Sequence, residues 1–373
     1  MIYLDHAATT PLHAQVLQAM LPYLQDQYAN ASSSYALGRA ARNAIDRAKA
    51  QVASLIGAQG NEIYVTSGGT EADNWAITGC MRAALPDKRH VIVSAIEHHA
   101  LLRTCAALER EGFRVTYVPV NRHGVVEVEQ LIRAITPDTA LISVMLANNE
   151  VGTIQPVREI TDAAHRNGCL MHTDAVQAVG HIPVDVHALN VDMLSLSAHK
   201  FCGPKGIGAL YIKKGTRINS LIYGGEQEKG LRAGTENVAG IVGMGVAAEI
   251  ASKDMDSDAK HMLELREMMI GLVQSELCGV TVNGIAAERL PGHVHITIDH
   301  ADSSMILMML DMQGIAASSG SACASGVSER SHVMKAMRIA KDGQADLRFT
   351  LGKQNTRDDV MKTITVLKSV LNQ

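Results

Sequence analysis

Ser195-Leu196-Ser197-Ala198-His199-Lys200-Phe201-Cys202-Gly203-Pro204-Lys205-Gly206-Ile207-Gly208 begins at the end of an apolar run, Met193-Leu194-Ser195-Leu196, and breaks into a loop rich in glycine and proline. A short apolar run bounded by such residues reads as a buried strand. Upstream the same texture recurs at Ile63-Tyr64-Val65-Thr66, Val91-Ile92-Val93, Val115-Thr116-Tyr117-Val118, Leu141-Ile142-Ser143-Val144 and Leu170-Met171-His172-Thr173. Stretches of helical period separate most of them, among them Ala100 to Glu111 and Val157 to Asn167. Strands alternating with helices predict a three-layer α/β domain with a mainly parallel sheet, right-handed crossovers and sites at the carboxyl ends of the strands.

Toward the N-terminus, Thr10-Pro11 reads as an N-cap followed by proline at the first helical position. An alanine-rich helix follows from about Arg39 to Ile56, ending at Gly57. On the other side, the polar run Lys253-Asp254-Met255-Asp256-Ser257-Asp258 reads as a helix break or hinge. Beyond it lie a methionine-rich helix, the half-exposed strand His293 to Ile298, a helix from Ser304 to Met312, Leu347-Arg348-Phe349-Thr350, and a terminal helix carrying Val360, Ile364 and Leu367. The expected division is a large α/β domain over residues 13–253 and a smaller α+β domain from 1–12 and 254–373.

The composition agrees with a folded protein. The chain has 373 residues, 47% hydrophobic and 19% charged, enough for about two domains of roughly 150 residues each and too apolar for disorder. A net charge of −4 argues against a protein that coats nucleic acid. The six cysteines, Cys80, Cys105, Cys169, Cys202, Cys278 and Cys323, are scattered without a C-x-x-C pair, so neither a disulfide scaffold nor a zinc module is expected. No signal-peptide pattern and no long apolar span is visible, which points to a soluble, cytoplasmic protein with no membrane partner.

Three segments carry chemistry. Lys200, at a strand end among small residues and a histidine, is either a lysine poised to form a Schiff base with an aldehyde or a surface lysine before a turn. Asp174 ends an apolar strand, where it either caps a helix or faces a pyridine nitrogen. In Thr66-Ser67-Gly68-Gly69-Thr70-Glu71-Ala72-Asp73-Asn74 a strand feeds a glycine turn and a helix start. That is either a tight turn alone or a phosphate cradle made of backbone N–H groups and the Thr70 hydroxyl. Aldehyde lysine, pyridine carboxylate and phosphate cradle together describe a pyridoxal phosphate site.

These segments resemble the class V aminotransferase family of fold-type I pyridoxal phosphate enzymes, and more narrowly the cysteine desulfurases of the NifS/IscS type. The resemblance runs from Tyr3-Leu4-Asp5-His6-Ala7-Ala8-Thr9-Thr10 to Leu347-Arg348-Phe349-Thr350-Leu351-Gly352. It implies that Lys200 holds the cofactor and acts as base at Cα, with His98 against the ring. Asp174 would pair with the ring nitrogen, Gln177 with the phenolic oxygen, and Asn149 would lie near that oxygen and the substrate. Gly69, Thr70, Ser197 and His199 would hold the phosphate. Thr235 would reach the phosphate of a neighbouring subunit, which implies a homodimer with shared active sites. Arg348 resembles the family's substrate-carboxylate arginine. No metal is implied.

In Ala317-Ser318-Ser319-Gly320-Ser321-Ala322-Cys323-Ala324-Ser325-Gly326 small residues flank a single thiol. The resemblance makes Cys323 the nucleophile that takes sulfur from L-cysteine, leaving alanine and a persulfide for an acceptor protein. That acceptor could be an iron–sulfur scaffold, a tRNA-thiolation enzyme or another carrier. Where the family often carries Pro-Ser-Ser with a histidine two residues on, this chain reads Ala31-Ser32-Ser33-Ser34-Tyr35, so that segment is left out of the expected site.

Overall fold

The apolar runs pair into one sheet. In the computed structural model, which describes residues 1–320 and 330–371, strand β1 (Ile2–Tyr3) stands apart. The central sheet is built by β2 (Ile63–Thr66), β3 (His90–Ser94), β4 (Arg114–Val118), β5 (Thr139–Ser143), β6 (Leu170–Asp174), β7 (Met193–Ser197) and β8 (Gly208–Ile212). Their spatial order is β2-β8-β7-β6-β5-β3-β4. Strands β3 to β7 pair parallel, while β8 runs antiparallel to β7 and β2.

Every residue of β3, β5 and β7 is buried, because helices cover both faces; hence continuous apolar runs rather than alternation. Ile92 and Leu194 join a core with Ile45, Ile160, Ile241 and Met244, from the helices Ala36–Leu55, Val157–Arg166 and Val238–Glu276. Their neighbours Val91, Val93 and Met193 point the other way, into a core with Trp75, Ile77, Leu101 and Leu108 from the helices Gly69–Ala83 and His99–Arg110. This is the three-layer α/β architecture expected of fold type I.

A second, antiparallel sheet consists of β9 (Val280–Val282), β10 (His293–Asp299) and β12 (Gln344–Thr350), with β10 central; the short β11 (Ile315–Ala316) pairs parallel with β1. Its apolar core joins Leu4 to Leu265, Met269, Val294, Ile296, Phe349 and Val360.

Three local expectations need correction, and one strand was not foreseen. Thr10 is not an N-cap: His13 caps the helix Ala14–Gln25, its side chain accepting from the Gln15 N–H. The Thr10 hydroxyl instead donates to the His199 carbonyl (2.8 Å) and accepts from the Cys202 N–H (2.8 Å), tying the N-terminal segment to the lysine turn. The polar run at Lys253 is no break, because the helix Val238–Glu276 continues through it for 39 residues. Such a run is only a solvated stretch when tertiary contacts hold the helix on either side. Strand β10 is not half-exposed; all but its last residue are buried, its histidine-bearing face included. Finally, β8 was hidden behind the glycine-rich loop that precedes it.

Candidate active site

Strand ends β6 and β7, the start of the helix Gly69–Ala83 and the N-terminal segment converge on a cavity of about 360 Å³, within the range of small-ligand sites. Its walls include Lys200, His98, Gly69, Thr70, Asn149, Asp174, Gln177, Ser197, His199 and Arg348. Ten of the twelve expected site residues thus meet in one place. Thr235 is exposed and does not line this cavity. Cys323 lies outside the described residues.

Lys200 closes the 3₁₀ turn Ala198–Lys200 that follows β7. Its ammonium donates to the carbonyls of Ala7 and Ala8 (the latter at 2.8 Å), and its own carbonyl accepts from His181 Nε2 at 2.8 Å. The Gln177 amide also donates to the Ala7 carbonyl, at 3.0 Å. The lysine is therefore aimed by backbone oxygens of a segment far away in sequence.

Asp174 stands at the carboxyl end of β6, buried, with Oδ1 accepting from the Val176 N–H at 2.9 Å. Two further buried carboxyls, Asp73 and Glu97, lie close to it electrostatically. Burial raises the pKa of all three, and their mutual repulsion adds to the effect on Asp73 and Glu97. Asp73 Oδ1 and Glu97 Oε2 have no hydrogen-bond partner. Of the three, Asp174 and Asp73 line the cavity; carboxyls so placed suit a cation there, and a protonated pyridine nitrogen is one.

The phosphate end has matching chemistry. Gly68 adopts φ +153°, open only to glycine, and a Cβ at Gly69 would come within 2.7 Å of Val176. No side chain caps the helix that starts here, so its first N–H groups are left for an anion. Ser197 and His199 face the same space. Anion cradle, amine and buried carboxylates fit pyridoxal phosphate.

His98 caps the helix His99–Arg110, its Nδ1 accepting from the Ala100 N–H at 3.2 Å, so the ring proton sits on Nε2. Burial, reinforced by Lys200, pushes its pKa down to about 4. Arg348, on β12, is 3% exposed. Its Nη2 pairs with Asp5 Oδ1 (2.7 Å), its Nη1 donates to the Asn149 carbonyl (2.9 Å), and its Nε has no partner. Sequence reasoning missed Asp5, Asp73 and Glu97. Asp5 lay in the quoted N-terminal motif, and the other two beside Asn74 and His98, but their burial is a tertiary fact.

Fold and site define a pyridoxal phosphate enzyme of fold type I. The Aminotransferase class-V sequence model matches residues 2–362, and the chain belongs to that family. It is 47% identical over 374 residues to a protein named cysteine desulfurase IscS from Methanosarcina thermophila, covering 100% of this chain and 92% of that one. A solved NifS-like protein superposes with a TM-score of 0.93 at 37% identity, covering 100% of this chain and 99% of that one. A structure described as SspA in complex with cysteine matches with a TM-score of 0.85 at 34% identity, over 95% of this chain and 99% of that one.

Proposed function

We propose that this chain is an L-cysteine desulfurase that releases L-alanine and carries the sulfur as a persulfide on Cys323. The observation that carries the reading is the meeting of Lys200, Asp174, Gly69, Thr70 and Arg348 around one cavity, in a chain similar along its whole length to a named cysteine desulfurase.

Bound in the cavity, pyridoxal phosphate supplies an aldehyde for the substrate amine and a ring that takes up the electron pair left at Cα. Lys200 Nζ would hold it, and as a neutral amine then takes the Cα proton of cysteine. Asp174 would keep the ring nitrogen protonated, Gln177 would hydrogen-bond the phenolic oxygen, and Asn149 would lie close to that oxygen and the substrate. Gly69, Thr70, Ser197 and His199 would hold the phosphate. Arg348 would orient the substrate by pairing with its carboxylate. His98, carrying its proton on Nε2, would move that proton near Cβ.

The Cys323 thiolate attacks the substrate sulfur. An S–S bond forms, the Cβ–S bond breaks, and Cβ takes a proton. The sum is L-cysteine plus thiol giving L-alanine plus persulfide. A sulfur-acceptor protein then removes the outer sulfur, for iron–sulfur cluster assembly or for thiolation of tRNA or another acceptor.

A homodimer belongs to the reading, with Thr235 reaching the phosphate of a second subunit. Tyr28 and Tyr223 are 79% and 78% exposed, aromatic side chains of a type enriched at interfaces. No helix among the described residues is long and apolar enough to cross a membrane. Cys80, Cys105, Cys169 and Cys202 are free thiols, in keeping with a reducing cytoplasm.

The test is Cys323→Ala in the holoenzyme. Its absorbance should match wild type while alanine and sulfide formation from cysteine is lost; undiminished turnover would overturn the assignment of Cys323.

A further inference from the structure

Glu150 has no part in the chemistry above, yet it is a carboxyl only 2% exposed. Burying such a group is expensive unless partners hold it. It sits in the turn that follows β5, fixed by Asn148, whose Oδ1 accepts from the N–H groups of Glu150 (2.9 Å) and Val151 (3.0 Å). The Asn148 amide in turn donates to the Ile96 carbonyl at 3.1 Å.

Two stretches of chain close on this carboxyl. One brings Gly320, at φ +80°, where a Cβ would stand 3.0 Å from Glu150 Oε2. The other brings Ser331, whose hydroxyl donates to the same Oε2 at 2.5 Å. That hydroxyl also accepts from the N–H groups of Val333 (3.0 Å) and Met334 (3.3 Å), so it caps the helix His332–Ala336 as well.

Each stretch is tied to the active site a second time. Ser318 exchanges backbone hydrogen bonds with Arg348, at 2.6 and 3.2 Å. His332 Nε2 donates to the Glu97 carbonyl at 2.9 Å. Gly320 itself lines the cavity. Burial pushes Glu150 up to about 7, against the pull of Ser331 and Arg348, so glutamine is a fair mimic of its neutral form.

We propose that Glu150 is a positioning residue of the reaction: held between Gly320 and Ser331, it fixes the separation of the two ends of the segment that carries Cys323, and thereby how well the thiol meets the substrate sulfur. This rests on the reading of Cys323 as the sulfur-accepting thiol. A carboxyl that only filled space would leave sulfur transfer and substrate binding equally affected by its loss.

The experiment uses the holoenzyme and the variants Glu150→Gln, Glu150→Ala, Ser331→Ala and the double alanine variant. The cofactor's spectral response to L-cysteine should half-saturate at the wild-type concentration in all of them. Single-turnover alanine formation should slow by about 10- to 100-fold in Glu150→Ala and Ser331→Ala. Ser331→Ala removes the helix cap along with the contact to Glu150, so the double variant should be no slower than Ser331→Ala alone, and Glu150→Gln should stay within about threefold of wild type. Hydrogen exchange of the peptide spanning residues 318–332 should quicken in Glu150→Ala.

A wild-type alanine rate in Glu150→Ala, additive losses in the double variant, or a Glu150→Gln as slow as Glu150→Ala would each overturn the proposal. Failure of the underlying reading looks different. Cys323→Ala would then form alanine at the wild-type rate, while quickened exchange in Glu150→Ala would still report the clamp.

Discussion

Asp174 and Lys200 face one cavity from adjacent strand ends, and the proposed chemistry divides between them: one would hold a proton at the ring, the other would move one at Cα. Asp174→Asn keeps the shape and removes the charge, so holoenzyme should form while alanine production falls by about 10²- to 10⁴-fold. Steady-state assay of alanine at saturating cofactor checks this. Lys200→Ala should leave the purified protein without the visible absorbance of wild type. Both residues were legible in the sequence only in combination. Alone, Asp174 reads as well as a helix cap and Lys200 as a surface lysine; the glycine turn before Thr70 and the family resemblance joined them into one site. Asp73 and Glu97 were not legible. A carboxylate inside a helix or beside two histidines ordinarily faces solvent, and only the packing of the helix Gly69–Ala83 on the sheet buries Asp73.

At the scale of elements, the lysine turn hangs between the parallel β7 and the antiparallel β8, and Thr10 pins it from outside. Thr10→Val removes both hydrogen bonds and leaves the Cys202 N–H without its acceptor. The expected cost is about 1–3 kcal/mol, read as a lower thermal midpoint in the apo protein, with weaker cofactor retention on dialysis. The parallel strands were readable because burial on both faces makes them continuous apolar runs. Strand β8 and the helix through Lys253 were not. Glycine density marks a turn whether or not a strand follows it, and a run of aspartates says nothing about helices packed on either side of it. The antiparallel β10 was misjudged for a related reason: His293 and His295 look solvent-facing by alternation, yet they are buried.

For the whole molecule, buried titratable groups set the pH dependence of stability. Burial pushes His172 and His295 down from 6.5 to about 3 and Glu97 up from 4.5 to about 8. Each histidine favours the fold fully above pH 6.5, and its contribution is lost as pH falls from there toward 3. Glu97 works the other way, its contribution present below 4.5 and lost as pH rises toward 8. Each group contributes a slope of about 1.4 kcal/mol per pH unit inside its window. With two groups against one between 4.5 and 6.5, stability from these three should peak near pH 6.5. Urea midpoints across that range check it, and His172→Gln should flatten the acid limb. The proposed sharing of sites between subunits makes a separate prediction: mixing Lys200→Ala with Thr235→Ala subunits should redistribute cofactor affinity after exchange, which titration of the mixture reads directly. The N-terminal segment carries a consequence in time. Asp5 pairs with Arg348 across 343 residues, and the Ala7 N–H donates to the Thr350 hydroxyl across the same interval. At roughly 5–20 residues per second of synthesis, the carbonyls that aim Lys200 wait on the order of half a minute before the strand that anchors their segment exists. A nascent chain halted at residue 300 would already own its lysine and its phosphate cradle, and still lack the arginine and strand that hold its beginning in place.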